Sequence, residues 1–185
     1  MTVFYLIRHA YADWTPDEQR PLSSKGQEDA QRVADMLCNS PITRIYSSPF
    51  QRARQTVSPL ADRLGLLVHN EPELRERKLG DGPSVNDFFA AVKQTWRDLS
   101  NTHPSGETTA AAQWRGVAVV QRLREQYSGE HLVLSTHGNL MALVLQLYDP
   151  RIDYVFWKAL TMPDVYELQM ESGGASITRL WQSQG

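Results

Sequence analysis

Arg8-His9 closes an apolar, β-branched run, Val3 to Ile7, and an irregular polar stretch from Tyr11 to Pro16 follows. Such a run reads as a buried strand, so a cation and an imidazole stand side by side where a strand ends and a loop begins. In open α/β sheets ligand crevices form at such ends. An arginine there can hold an anion next to a nucleophilic nitrogen. Taken alone, the pair reads more simply as two solvated loop residues. Three further stretches share its setting. Arg52 and Arg54 follow the short β-rich segment Ile42 to Tyr46 and fall early in a helix. His137-Gly138-Asn139 follows the apolar segment Leu132 to Ser135, and Glu73 and Glu76 follow Leu66 to His69. If these segments are parallel strands, two histidines, two or more arginines and a carboxylate converge at one sheet edge.

The elements between them support that arrangement. Ser23 or Ser24, the latter boxed with Gln27, caps a helix running to about Asn39, with Ala30, Val33, Ala34 and Leu37 inward. Gly26 weakens its first turn slightly. Ser48-Pro49 opens a second helix, about Pro49 to Leu64, which Gly65 ends. Glu71 to Ser84 is a charged loop, Val85 to Leu99 a helix, and Asn101 to Glu107 another loop. Thr108 or Thr109 starts a long helix to about Gln126, with Ala111, Trp114, Ala118, Val119 and Leu123 as core positions. A helix from Leu140 to Leu147 follows, and Val165 to Met170 with Ser176 to Trp181 form a terminal hairpin. This alternation predicts an α/β fold: a three-layer α/β/α sandwich with a mostly parallel central sheet and a small helical cap, about residues 80–107. One domain over residues 1–185 is expected.

Composition narrows the function classes. A net charge of −2 gives no support to nucleic-acid binding. The single cysteine, Cys38, excludes an intrachain disulfide and fits a buried structural thiol. No segment approaches the roughly 20 apolar residues that span a bilayer. The first apolar run is too short and lacks the basic leader of a secretory signal, so a cytoplasmic protein is expected. No short His/Asp/Glu spacing of a metal site accompanies His9 and His137, and neighbouring arginines would repel a metal, so no metal and no cofactor are expected.

Together these motifs resemble the histidine phosphatase superfamily, the phosphoglycerate-mutase-like proteins. The family's Arg-His-Gly is similar to Arg8-His9-Ala10. Its serine followed by Arg-Ala-x-x-Thr looks like Ser48 with Arg52-Ala53-Arg54-Gln55-Thr56. Its Leu-x-Glu resembles Leu74-Arg75-Glu76, its late His-Gly matches His137-Gly138, and its Pro-x-Gly-Glu matches Pro104-Ser105-Gly106-Glu107. The matches run in the family's order from about residue 3 to 147. The resemblance implies a phosphoglycerate-mutase-like fold and a phosphohistidine formed on His9. Arg8, Arg52 and a protonated His137 would clamp the phosphoryl oxygens. Glu76 would be the proton donor, with Glu73 as fallback. Gly138 and Asn139 are secondary candidates.

Other residues have simpler readings. Arg54 is a surface arginine, and Arg75 and Arg77 face solvent or pair with nearby carboxylates. His69, His103 and His131 are solvated or structural. Glu107 is a helix N-terminal carboxylate favoured by the macrodipole. Tyr11 and Trp14 either line a pocket or pack the loop. The resemblance covers both phosphatases and mutases. Only Arg77 to Ser84 separates the acid segment from the next helix, without the mutases' long insert, and Ala10 replaces the hallmark glycine. Hydrolysis of a small phosphate monoester is therefore expected. The alternatives are phosphoglycerate mutase-type transfer and a protein phosphatase acting on a phosphorylated partner. The sequence leaves the oligomeric state open.

Overall fold

The first strand, β1 (Thr2–Arg8), is buried along nearly its whole length, and its side chains alternate between two cores. Phe4 and Leu6 face one, and Val3, Tyr5 and Ile7 the other, as a period of two requires. A fully buried side chain of this kind contributes roughly 1.5–3 kcal/mol. The computed structural model describes residues 1–15, 17–80, 88–98, 100 and 105–182. Helices α1 (Ser24–Leu37) and α2 (Gln51–Leu64) cover the Ile7 side. Helices α4 (Thr109–Gln126), α5 (Gly138–Tyr148) and α6 (Tyr154–Ala159) cover the Phe4 side. The fold is thus the α/β sandwich expected from the alternation of elements.

The sheet has six strands, ordered β3-β2-β4-β1-β5-β6. β2 (Ile42–Ser47), β3 (Val68–Asn70) and β4 (His131–Thr136) run parallel with β1. β5 (Asp164–Glu171) and β6 (Gly174–Arg179) form the hairpin and add antiparallel to β1. In register, Arg8 lies opposite Thr136 and Ser47 opposite Ser135. The carboxyl ends of three parallel strands are therefore level, and each releases its loop at one edge.

Several local expectations change. α2 begins at Gln51 with Phe50 at its cap and no side-chain cap bond, so Ser48 and Pro49 precede it. The Ser48 hydroxyl is instead engaged by the Phe50 N–H, at 3.3 Å, and by His137. The buried stripe of α4 is Thr109, Ala112, Gly116, Val117, Val119, Val120 and Leu123. Ala111, Trp114 and Ala118 lie one helical step away and are exposed. Gly26 is required rather than merely tolerated: a Cβ there would lie 2.1 Å from the Tyr11 carbonyl oxygen, which also accepts from Ser23 N. Cys38 is half-buried, its thiol directed at the Asp35 carbonyl. α3 (Phe88–Arg97) covers the described part of the helix expected over 85–99. Residues 81–87, and with them much of the expected cap, lie outside the described residues, as does His103. α6 and a 3-10 turn, Pro72–Leu74, were not foreseen.

Candidate active site

Strand ends and backbone ties assemble the site. His9 N donates to the Thr136 carbonyl, and Ser48 N donates to the Ser135 carbonyl. Thr136 Oγ1 donates to the Leu74 carbonyl at 2.7 Å, which fastens the segment carrying Glu76 to the end of β4. Thr56 Oγ1 donates to Arg52 O, one turn earlier on α2, and accepts the Ala10 N–H at 2.9 Å. One hydroxyl therefore locks the loop after His9 to the helix that carries Arg52.

The two imidazoles have assignable tautomers. His9 is only 7% exposed, and its Nδ1 donates to the Ala10 carbonyl at 2.7 Å. Its Nε2 accepts from Arg52 Nε at 3.2 Å, so Nε2 carries the lone pair. Burial, followed by the charges of Arg52, Arg8 and Arg20, outweighs the Ala10 bond and lowers the His9 pKa to about 3. His137 is fully buried, 5.1 Å from His9 between ring centroids. Its Nδ1 faces Arg52 Nη2 at 3.3 Å, and arginine can only donate, so the proton lies on Nε2, 2.8 Å from Ser48 Oγ. Burial first, then His9 and three nearby arginines, push its pKa well below the ordinary histidine range. His137 is thus a neutral ring that braces Arg52.

Arg52 bridges both rings, and its Nη1 donates to the Glu18 carbonyl at 3.0 Å. Burial, then the charge of Arg20, pushes its pKa down to about 10. Arg8 Nη1 donates to Leu160 O at 2.8 Å, while its buried Nε has no partner among the described residues. The guanidinium packs on Gly138, where a Cβ would lie 2.8 Å from Arg8 Nε. Burial also lowers the Arg8 pKa, against the raising effect of Glu76 and Asp164.

The Glu76 carboxylate caps α5. Its Oε2 accepts from Asn139 N and its Oε1 from Leu140 N, each at 3.1 Å, and Oε1 also accepts from Arg77 N at 2.9 Å. Asn139 is 5% exposed, and neither polar atom of its side-chain amide has a partner among the described residues. Arg8, His9, Arg52, Glu76 and Asn139 all line one cavity of about 580 Å³. Glu73 does not line it and pairs with Arg75 at 3.0 Å.

Sequence reasoning missed three features. Arg20 adds a cation to the cavity wall, held by the Thr15 and Asp17 carbonyls. Its only sequence signal was its place in the polar loop after His9. Arg77 is 4% exposed rather than solvent-facing, and donates to Thr95 Oγ1 and the Glu107 carbonyl. Glu107 is not a simple helix-end carboxylate: it forms a two-pronged ion pair with Arg115, at 2.7 and 2.9 Å. Burial alone would raise the Glu107 pKa, but Arg115 outweighs it and holds it low. Arg115 also donates to the Glu73 and Arg75 carbonyls, so this pair braces the segment leading to Glu76. Tyr11 and Trp14 line the cavity.

Among the described residues, no group of three or more His, Cys, Asp or Glu is gathered to hold a metal ion. No helix among them is long and apolar enough to cross a membrane.

Two buried imidazoles, two arginines and a carboxylate at the ends of parallel strands agree with what the whole sequence matches. The profile of the histidine phosphatase superfamily (branch 1) matches residues 4–182. The chain belongs to that superfamily. It is 28% identical over 152 residues to phosphoglycerate mutase-like protein 4 of Arabidopsis thaliana, a match covering 74% of this chain and 66% of that protein, just under two thirds. It is 26% identical to a probable phosphoglycerate mutase of Shigella dysenteriae, over 100% of this chain and 90% of the relative. Its fold resembles the mycobacterial glucosyl-3-phosphoglycerate phosphatase solved with VO3, with a TM-score of 0.79, 21% identity and 98% and 99% of the two chains covered.

Proposed function

We propose that this member of the superfamily hydrolyses phosphate monoesters through a phosphohistidine on His9, without a metal. The observation that carries this reading is the state of His9. Its ring is neutral down to about pH 3, its Nδ1–H is fixed by Ala10 O, and its lone pair at Nε2 faces Arg52 on a cavity wall that Arg8 and Arg20 also line. In-line attack by Nε2 forms an N–P bond as the ester P–O bond breaks, dividing one difficult displacement into two easier ones. Arg8 and Arg52 neutralise the phosphoryl oxygens, with Arg20 as a further cation, and these charges do the work a metal would do elsewhere. His137 acts through Arg52, holding its guanidinium between the two rings. Glu76 gives its proton to the departing alkoxide and later takes one from the water that attacks phosphorus. With two N–H donors on Oε1 and one on Oε2, Oε2 keeps a lone-pair position for that proton.

The test is turnover of an aryl phosphate in the presence of a chelator. Activity should persist in the wild type with an acid-labile phosphoenzyme, and should vanish in His9→Ala. Metal-dependent turnover, or an active His9→Ala, contradicts the reading. Phosphoglycerate mutase-type transfer is the second reading, favoured by the names of the two curated relatives. Efficient conversion of 3-phosphoglycerate to its 2-isomer with a bisphosphoglycerate primer would establish it instead. A cavity of about 580 Å³ favours a small ester over a phosphorylated protein.

A further inference from the structure

The cavity is several times larger than a phosphoryl group needs, and beyond the reacting end its described walls are rich in aromatic and apolar side chains. Beyond the reacting end, Trp14 and Tyr11 come from the loop after β1, Phe89 from α3, Trp157 from α6, and Leu160 and Met162 from the segment after it. Phe89 and Trp157 stand with ring centroids 6.1 Å apart. No serine, threonine, glutamine or aspartate lines the cavity among the described residues. Asn139 is the one neutral amide, and the Arg77 head is turned to Thr95 and the Glu107 carbonyl. Against these described walls a sugar or glycerol leaving group would lose its water with few neutral partners for its hydroxyls, which is costly. The Lys158 ammonium, also on the wall, lies 5.8 Å from the Phe89 ring centroid, where its charge meets a π-face.

A second observation concerns exposure. Of the nine exposed large apolar side chains among the described residues, four line this cavity: Tyr11, Trp14, Phe89 and Met162. Trp14 is 71% exposed and Phe89 52%. Apolar surface concentrated at the mouth of a site marks ligand contact.

We propose that the cavity takes the apolar, ring-bearing alcohol of a phosphate ester, so that the substrates are phosphates of aromatic or bulky apolar alcohols rather than of polyols. This rests on the phosphatase reading and adds the leaving group to it. The comparison to make is 2-phenylethyl phosphate against glycerol 3-phosphate. Both are primary alkyl esters, so the difference reports recognition rather than leaving-group reactivity. Burial of one phenyl ring predicts a kcat/KM ratio of about 10–100 in favour of the phenylethyl ester. Trp14→Ala and Phe89→Ala should each cut that ratio at least about threefold. Trp114→Ala, which removes an exposed tryptophan outside the cavity, should leave it unaltered. A wild-type ratio near one, or a ratio untouched in both cavity variants, overturns the proposal while hydrolysis itself stands. Binding of 2-phenylethylphosphonate over methylphosphonate supplies the same comparison without turnover. Retained phosphonate preference with no hydrolysis of either ester would remove the phosphatase reading and keep the cavity assignment. Absence of that preference would remove the assignment too.

Discussion

His9 should make the native state sensitive to mild acid, and His9→Asn should remove that sensitivity. The imidazole titrates at about 3 in the folded chain against an ordinary value of 6.5. Between those values the unfolded chain binds a proton at this position and the native chain does not. Stability therefore falls as pH drops through the window, with a limiting slope of about 1.4 kcal/mol per pH unit. Integrated from pH 7 to pH 5, this costs about 2 kcal/mol, most of it below pH 6.5. Asparagine has no proton to gain, and its amide can keep the contact with the Ala10 carbonyl. Urea unfolding followed by tryptophan fluorescence at pH 7, 6 and 5 measures the difference. Wild type should lose about 2 kcal/mol more than His9→Asn across this range. His137, pushed the same way chiefly by burial, steepens both curves. Parallel curves for the two proteins would show that His9 is protonated in the native state, and the neutral nucleophile would be lost with it.

Two substitutions separate folding from site assembly. Gly138→Ala places a Cβ 2.8 Å from Arg8 Nε and 2.9 Å from its Cζ, so the guanidinium must move off its perch while the backbone need not. Vanadate affinity, read by inhibition, should fall at least tenfold for a stability change of about 1 kcal/mol. Glu107→Gln leaves the Arg115 guanidinium, whose side chain is 9% exposed, without its carboxylate. Denaturant unfolding should show a loss of about 3 kcal/mol, and kcat should fall with it because Arg115 braces the segment leading to Glu76.

Much of the fold is legible in the sequence because its strands carry unmistakable apolar runs. β1 and β4 are buried on both faces, and their ends deliver Arg8, His9 and His137 where strand-end reasoning puts them. What the sequence hides is direction. Two residues on α4, about 200° around the helix, separate the exposed Trp114 from the buried Ala112, and the aromatic Trp114 drew the core assignment to itself. Arg77 and Glu107 look like loop charges because their partners, Thr95 and Arg115, are 18 and 8 residues away. The tautomer and charge of His137 depend on Ser48, 89 residues earlier, and on complete burial. No spacing rule carries that information.

The Arg52 bridge has a consequence for the end of the reaction cycle. Its Nε donates to the lone pair of His9 Nε2, and its Nη2 is engaged by His137. An arriving phosphoryl group must displace at least the first of these contacts, and a departing inorganic phosphate restores it. The arginine that draws the anion in is therefore also a rival for the same nitrogen. On the proposed phosphatase reading this rivalry would assist product release, and inhibition by free phosphate should be weaker than an array of three arginines would suggest.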